Sequence, residues 1–210
     1  MEWLRKPWRS FRNGKMRSSR LTCLPMDGTA QIILLNGVGS SGKSSIAKAL
    51  QKIAGKPFLH VQMDDFFAML PEALQDHPDG FAFGEISENG KPLVVIKAGP
   101  AGERALRGMR HAVAAMAAQG NNLIVDDVML ENEPEEYAAL LSGFETYFVG
   151  VFAPLEVLEA RERQRGDRLT GLARWQYERV HRGRKYDLEI DTGSFGPVDC
   201  ATLIKEKFRL

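Results

Sequence analysis

The sequence predicts an α/β domain of three layers, with a parallel sheet of about five strands held between helices. Three observations carry that prediction. Short apolar, β-branched runs alternate with segments of helical periodicity, the pattern of βαβ units joined by right-handed crossovers. Several of these runs are apolar throughout, as strands buried on both faces must be. The unusual polar residues follow the runs directly, at the strand ends where open parallel sheets bind ligands. At 210 residues the chain accommodates one such domain and an appendage, not two domains.

Residues 31–35 are the first strand candidate and open into a glycine-rich loop. Residues 45–54 then set Ile46, Ala47, Leu50 and Ile53 on one helical face. Residues 58–63 read as a second strand, ending at Asp64 and Asp65. Residues 66–74 read as a short helix that Pro71 breaks. The stretch 76–100 is rich in Gly, Pro and Asp, and Glu88-Asn89-Gly90-Lys91 reads as a hairpin turn between strands 81–86 and 93–96. A long Ala-rich helix over 103–119 stops at Gly120. Residues 122–126 and 146–152 are the third and fourth strands of the parallel sheet. Residues 155–165 form a charged helix, 166–170 a polar break, and 172–180 are helical again. A fifth strand at 188–191 and a closing helix at 198–208 complete the pattern.

Composition narrows the class. With 44% hydrophobic and 26% charged residues the chain is ordinary for a globular protein, which sets aside disordered and collagen-like chains. No apolar run approaches the roughly 18–20 residues of a membrane helix. Cys23 and Cys200 make no disulfide framework, so reduced thiols and a cytoplasmic location are expected. The net charge of +1 hides an asymmetry. Residues 1–27 hold seven Lys or Arg against two acids, which puts +5 there and leaves −4 for residues 28–210. This basic arm lacks the apolar stretch of a secretory signal. With Trp3, Trp8 and Phe11 it could touch nucleic acid or an anionic membrane, and its Arg-rich, acid-poor composition also suits an organelle transit peptide. The plainer expectation is an extension ahead of Met26 that adds little to the domain at 28–210. The acidic balance of that domain disfavours a broad nucleic-acid surface.

Gly37, Val38, Gly39, Ser40, Ser41, Gly42, Lys43 and Ser44 match G-x-x-x-x-G-K-[ST] in full, with a buried strand before and an amphipathic helix, beginning near Ser45, after. Glycines let the backbone curl so that successive N–H groups face phosphate oxygens, and the helix adds its positive dipole end. Lys43 is expected to reach the β- and γ-phosphates of ATP, and the Ser44 hydroxyl to bind Mg²⁺. Residues 37–45 are therefore the nucleotide site.

Two acidic pairs follow. A carboxylate at Asp64 or Asp65 can take the proton of a substrate hydroxyl or hold Mg²⁺, while Asp is also a favoured helix N-cap. Residues 123–126 resemble a Walker B segment ending in the metal-assisting Asp126, with Asp127 beside it placed to face the substrate. Arg161, Arg165 and Arg168 share a helical face, and guanidinium groups suit phosphate; the alternative is a solvated face paired with Glu159 and Glu162. His181 is either catalytic or a structural helix histidine.

Residues 39–44, Met63-Asp64, Met69-Leu70-Pro71, residues 124–128, Arg165-Gly166-Asp167-Arg168 with Gly171 and Gln176, and Val180-His181 through residues 186–192 occur in that order. Together they resemble the chloramphenicol phosphotransferase family over about residues 30–205. The resemblance implies a P-loop NTPase fold of the small-metabolite kinase type, with ATP, Mg²⁺ and transfer of the γ-phosphoryl group to a primary hydroxyl of an antibiotic-like molecule. It places the catalytic base on Asp64 and a lid near residues 161–171, with Arg161, Arg165 and Arg168 as its arginines. The basic arm has no counterpart in that pattern, and residues 78–99, where the family builds part of its acceptor site, are only loosely similar. The competing readings are a kinase of another hydroxylated metabolite and a nucleotide-binding regulator or nucleic-acid-associated ATPase. Membrane attachment is not expected, and an oligomer is not indicated.

Overall fold

The computed structural model describes residues 29–88, 90–165 and 170–210. The basic arm and Arg168 lie outside the described residues. Five parallel strands form the main sheet: β1 (Gln31–Asn36), β2 (Phe58–Gln62), β5 (Asn122–Asp127), β6 (Glu145–Phe152) and β7 (Leu188–Asp191), in the spatial order β2-β5-β1-β6-β7. The antiparallel pair β3 (Phe81–Glu88) and β4 (Lys91–Ala98) stands apart from it. The helices are α1 (Lys43–Ile53), α2 (Met63–Ala68), α3 (Pro100–Ala118), α4 (Glu133–Leu140), α5 (Leu155–Arg165), α6 (Leu172–Tyr177) and α7 (Pro197–Phe208).

β1 is the centre of the sheet because every one of its residues is buried. Its alternating side chains feed two separate cores. Ile33 and Leu35 pack with Ile46, Ala47 and Leu50 of α1 and with Ile204 and Phe208 of α7. Ile32 and Leu34 pack on the other face with Met109 and Val113 of α3 and with Tyr137 and Leu141. Each fully buried Ile or Leu contributes about 1.5–3 kcal/mol, so two complete faces hold the three layers together. A third, smaller cluster joins Val38 of the loop after β1 to Leu158 of α5, Ala173 of α6 and Val180.

The hairpin turn falls where the sequence puts it, with Glu88 opposite Lys91, although both strands run longer than the apolar pattern suggests. Three local features differ from expectation. β2 stops at Gln62 and α2 begins at Met63, so Asp64 and Asp65 lie in the first turn of a helix and not on a strand. The helix expected over 66–74 divides into α2 and a short 3-10 turn at Glu72–Leu74 that starts after Pro71. α4 is an unforeseen helix. Its sequence is acidic and shows little amphipathic spacing, and its one buried side chain, Tyr137, carries the packing.

Candidate active site

The register lines up the sheet's carboxyl ends: Leu35 lies beside Asp126, Asn36 beside Asp127 and Gly150. The chain then turns tightly from β1 into α1. A side chain at Gly37 would meet the Val151 carbonyl at 2.4 Å, so only glycine lets the loop pass β6. Gly42 caps α1 at φ +96, a left-handed conformation, and Ser40 is held at φ +65. The Lys43 ammonium folds back over this loop, donating to Gly37 O at 2.9 Å and Val38 O at 3.1 Å. It also lies 3.7 Å from Asp126 Oδ1. The Ser44 hydroxyl donates to Asp126 Oδ2 at 2.5 Å. Burial alone would raise the Asp126 pKa, but the Lys43 charge, with His60 and Ser44 adding to it, holds the carboxyl below its ordinary value. A carboxylate and a hydroxyl in contact are hard oxygen donors of the kind Mg²⁺ takes when phosphates and water complete its shell.

A cavity of about 1860 Å³ opens over this loop. Gly39, Ser40, Gly42, Lys43, Ser44 and Ser45 line it, as does Asp126. Gly37, Val38 and Ser41, expected in the nucleotide site, do not. They form the base of the loop: Val38 and Ser41 are buried, and the carbonyls of Gly37 and Val38 are taken by Lys43. Among the described residues the Ser40 hydroxyl is buried without a partner, an orphaned donor consistent with a phosphate oxygen as its missing acceptor.

Away from the loop the cavity widens between α2, the β3–β4 hairpin and α3. Met63, Phe67, Phe81, Phe83, Ile96 and Leu106 form its apolar wall, with Phe67 and Phe81 packed edge to face at 3.9 Å. Glu103, Arg107, Arg110 and Glu136 form a polar side, where Arg110 pairs with Glu136 at 2.6 Å. Asp64 lines the same cavity. Asp65 does not line the cavity: one helical step carries it about 100° around α2, and it accepts a bond from Gln62 Nε2 at 3.2 Å.

Asp127, expected to face the substrate, is also turned away, and only 4% of it is exposed. It accepts hydrogen bonds from the Tyr137 hydroxyl at 2.9 Å and from Val128 N–H at 2.7 Å. Burial pushes its pKa up, with those two bonds opposing. The carboxylate serves to hold α4, and strand alternation is the reason: Asp126 and Asp127 must point to opposite faces.

The lid arginines divide. Arg165 lines the cavity. Arg161 lines it too, and each of its terminal nitrogens donates to Thr192, at 3.0 Å to Oγ1 and 2.8 Å to the backbone oxygen. The Thr192 hydroxyl in turn donates to Ser41 O at 2.8 Å. Glu162, a candidate ion-pair partner on a solvated face, is instead 2% exposed. Its carboxylate accepts from Gly171 N–H and Ala173 N–H, both at 2.8 Å, and so caps α6. That cap aims Gln176 at the loop, where its Oε1 accepts from Gly39 N–H at 2.7 Å.

His181 is structural. It stacks on Phe152 at 3.8 Å, and its Nδ1 is 2.8 Å from the Tyr186 hydroxyl. That hydroxyl already accepts from Asn36 Nδ2 at 2.8 Å, so its own proton goes to a neutral imidazole. Sequence reasoning missed His60, whose Nε2 is 3.7 Å from Asp126 Oδ2, and the roles of Thr192 and Gln176. A histidine inside the β2 run carries no motif, and the other two lie far along the chain from the loop they touch.

Comparison with known proteins agrees with this geometry. Residues 30–209 match the family described as chloramphenicol phosphotransferase-like protein. A Mycobacterium tuberculosis protein provisionally named an O-phosphotransferase is 30% identical over 196 residues, covering 90% of this chain and 87% of the relative. The fold is that of the Mycobacterium tuberculosis APS kinase solved with AMPPNP and APS, at TM-score 0.60, 16% identity, and 87% and 99% coverage of the two chains. It is also that of a gluconokinase from Sinorhizobium meliloti, at TM-score 0.58, 16% identity, and 87% and 93% coverage. A loop built to hold phosphate, a P-loop kinase fold around it and a family match across the folded chain lead to one assignment: this protein belongs to the chloramphenicol phosphotransferase-like family.

Proposed function

We propose that this protein transfers the γ-phosphoryl group of ATP to the hydroxyl of a small molecule with an apolar body, in the manner of chloramphenicol 3-O-phosphorylation. One observation carries the reading: a single cavity is lined by the phosphate loop, by an apolar wall and by Asp64. The loop N–H groups, Lys43 and Ser44 bind the phosphates. Ser44 and Asp126 would hold Mg²⁺, which neutralises charge on the transferring group when bound. Asp64 takes the proton of the acceptor hydroxyl as its oxygen bonds to phosphorus and the bond to the ADP oxygen breaks. Arg165 meets the charge that spreads over the phosphoryl oxygens. Arg161 acts by holding Thr192 against the loop. Such chemistry draws on cytoplasmic ATP.

The aromatic wall of Phe67, Phe81 and Phe83 favours an antibiotic-like acceptor with a flat apolar group. The polar side of Glu103 and Arg107 favours a second class, polyhydroxylated metabolites. A screen of both classes with ATP and Mg²⁺, read by mass spectrometry for a mass gain of one phosphoryl group, tests the reading. Phosphorylated product from an aryl alcohol supports the first class, and from a polyol the second. ATP turnover that rises with nucleic acid and never with any alcohol overturns both.

A further inference from the structure

Gln176 is one of the polar side chains on the cavity wall that the proposed mechanism leaves unused. Gln176 is 3% exposed, yet it lines the cavity beside Trp175. Its amide is oriented without ambiguity. Gly39 N–H can only donate, so the atom 2.7 Å from it must be the amide oxygen. The nitrogen therefore points the other way, and among the described residues Nε2 has no hydrogen-bond partner. Nε2 is not sealed off from solvent, so on this cavity wall it is open to an acceptor that arrives with the ligand.

The position of Gln176 says which part of the ligand. The helix that carries it, α6, packs against β4 of the acceptor hairpin, while Gln176 itself touches the third residue of the phosphate loop. The side chain thus sits between the phosphate end and the acceptor end of one cavity. The group that must occupy that interval during transfer is the γ-phosphoryl. The side chain is also held rigidly: Glu162 caps α6 through Gly171 and Ala173, and Ala173 and Val180 pack on Val38 of the loop.

We propose that Gln176 is a further catalytic residue, whose Nε2–H donates to an oxygen of the γ-phosphoryl group while Oε1 stays on Gly39 N–H. The proposal rests on the kinase reading. Gln176 itself makes and breaks no covalent bond. As a neutral donor fixed before the ligand arrives, it stabilises charge without reorganisation. It also ties α6 to the nucleotide's phosphate end, so that this helix senses whether a γ-phosphate is present.

The test is nucleotide affinity by calorimetry, with Mg²⁺, for ADP and for a non-hydrolysable β,γ-imido ATP analogue. Gln176→Glu keeps an acceptor for Gly39 N–H and replaces the donor with a negative oxygen. The expected result is ADP affinity within about threefold of the parent and analogue affinity down by tenfold or more, since a hydrogen bond to a charged group is at stake. Gln176→Met, which keeps length and volume and buries no charge, gives the same selective loss if the Glu variant does not fold. Unchanged analogue affinity in the folded variant overturns the proposal. So does an equal loss for ADP and analogue, which makes Gln176 a prop for the loop. A parent protein that binds neither nucleotide refutes the kinase reading itself, and the proposal with it.

Discussion

Arg161 grips Thr192 with both terminal nitrogens, and Thr192 passes the contact to the Ser41 carbonyl in the phosphate loop. The loop is thus braced from α5 as well as from α6. Arg161→Ala is expected to lower the melting temperature by several degrees, as loss of two hydrogen bonds worth about 1 kcal/mol each implies. Arg165→Ala, at the exposed end of the same helix, is expected to reduce kcat more than it raises KM for ATP. Differential scanning fluorimetry and steady-state kinetics on the two variants check the division. A reversed pattern returns Arg161 to the chemistry.

Lys43 is 6% exposed and sits on two carbonyls, so its charge is already placed where phosphate will lie. Lys43→Ala is expected to reduce phosphoryl transfer by at least 10²–10³-fold. It also leaves Asp126 without its cation, and a modest loss of thermal stability follows. Near-parental turnover contradicts the assigned role.

Asp64 and Asp65 are neighbours in α2, but only Asp64 lines the cavity. Asp64→Asn is expected to keep ATP binding while transfer falls roughly 10²–10⁴-fold, and Asp65→Asn to cost little. Single-turnover rates separate them. Small equal losses from both mean that the acceptor hydroxyl needs no base, as a loose transition state allows.

His181 sets a pH dependence of stability. Burial, and then the Lys43 charge, lower its pKa from 6.5 to about 4. The unfolded chain therefore binds a proton between pH 6.5 and 4 that the folded chain refuses. Stability from this group is complete above pH 6.5, falls as pH drops through that window, and levels off below about pH 4. Because the ring is partly exposed, the loss is of the order of 1–2 kcal/mol. Urea unfolding at pH 7 and pH 4.5 measures it, and His181→Asn is expected to flatten that part of the profile. An unchanged slope assigns the pH dependence to other groups.

Glu162→Ala removes the acceptor for two backbone N–H groups at the start of α6 and is expected to cost about 2 kcal/mol. Loss of nucleotide affinity should accompany it, because α6 carries Gln176. Full stability in that variant contradicts the capping role.

Local rules, read along the chain, determined the strand–helix alternation, the hairpin turn at Glu88 and Lys91 and the phosphate loop, because burial patterns, turn chemistry and a contiguous motif are properties of neighbouring residues. They also singled out Ser44 and Asp126 separately, the first from the loop motif and the second from an apolar run ending in a carboxylate. Tertiary structure decided why only one member of each acidic pair lines the cavity. Strand alternation sends Asp127 to Tyr137, and a helix that begins three residues earlier than the pattern shows turns Asp65 outward. It alone decided the bracing of the loop as well. Gln176 reaches Gly39 across 137 residues and Thr192 reaches Ser41 across 151, and no periodicity or motif encodes a contact at such separation. Those contacts exist because two packed cores bring the ends of β1, β6 and β7 and the helices α5 and α6 to one edge of the sheet, where short side chains suffice to join them.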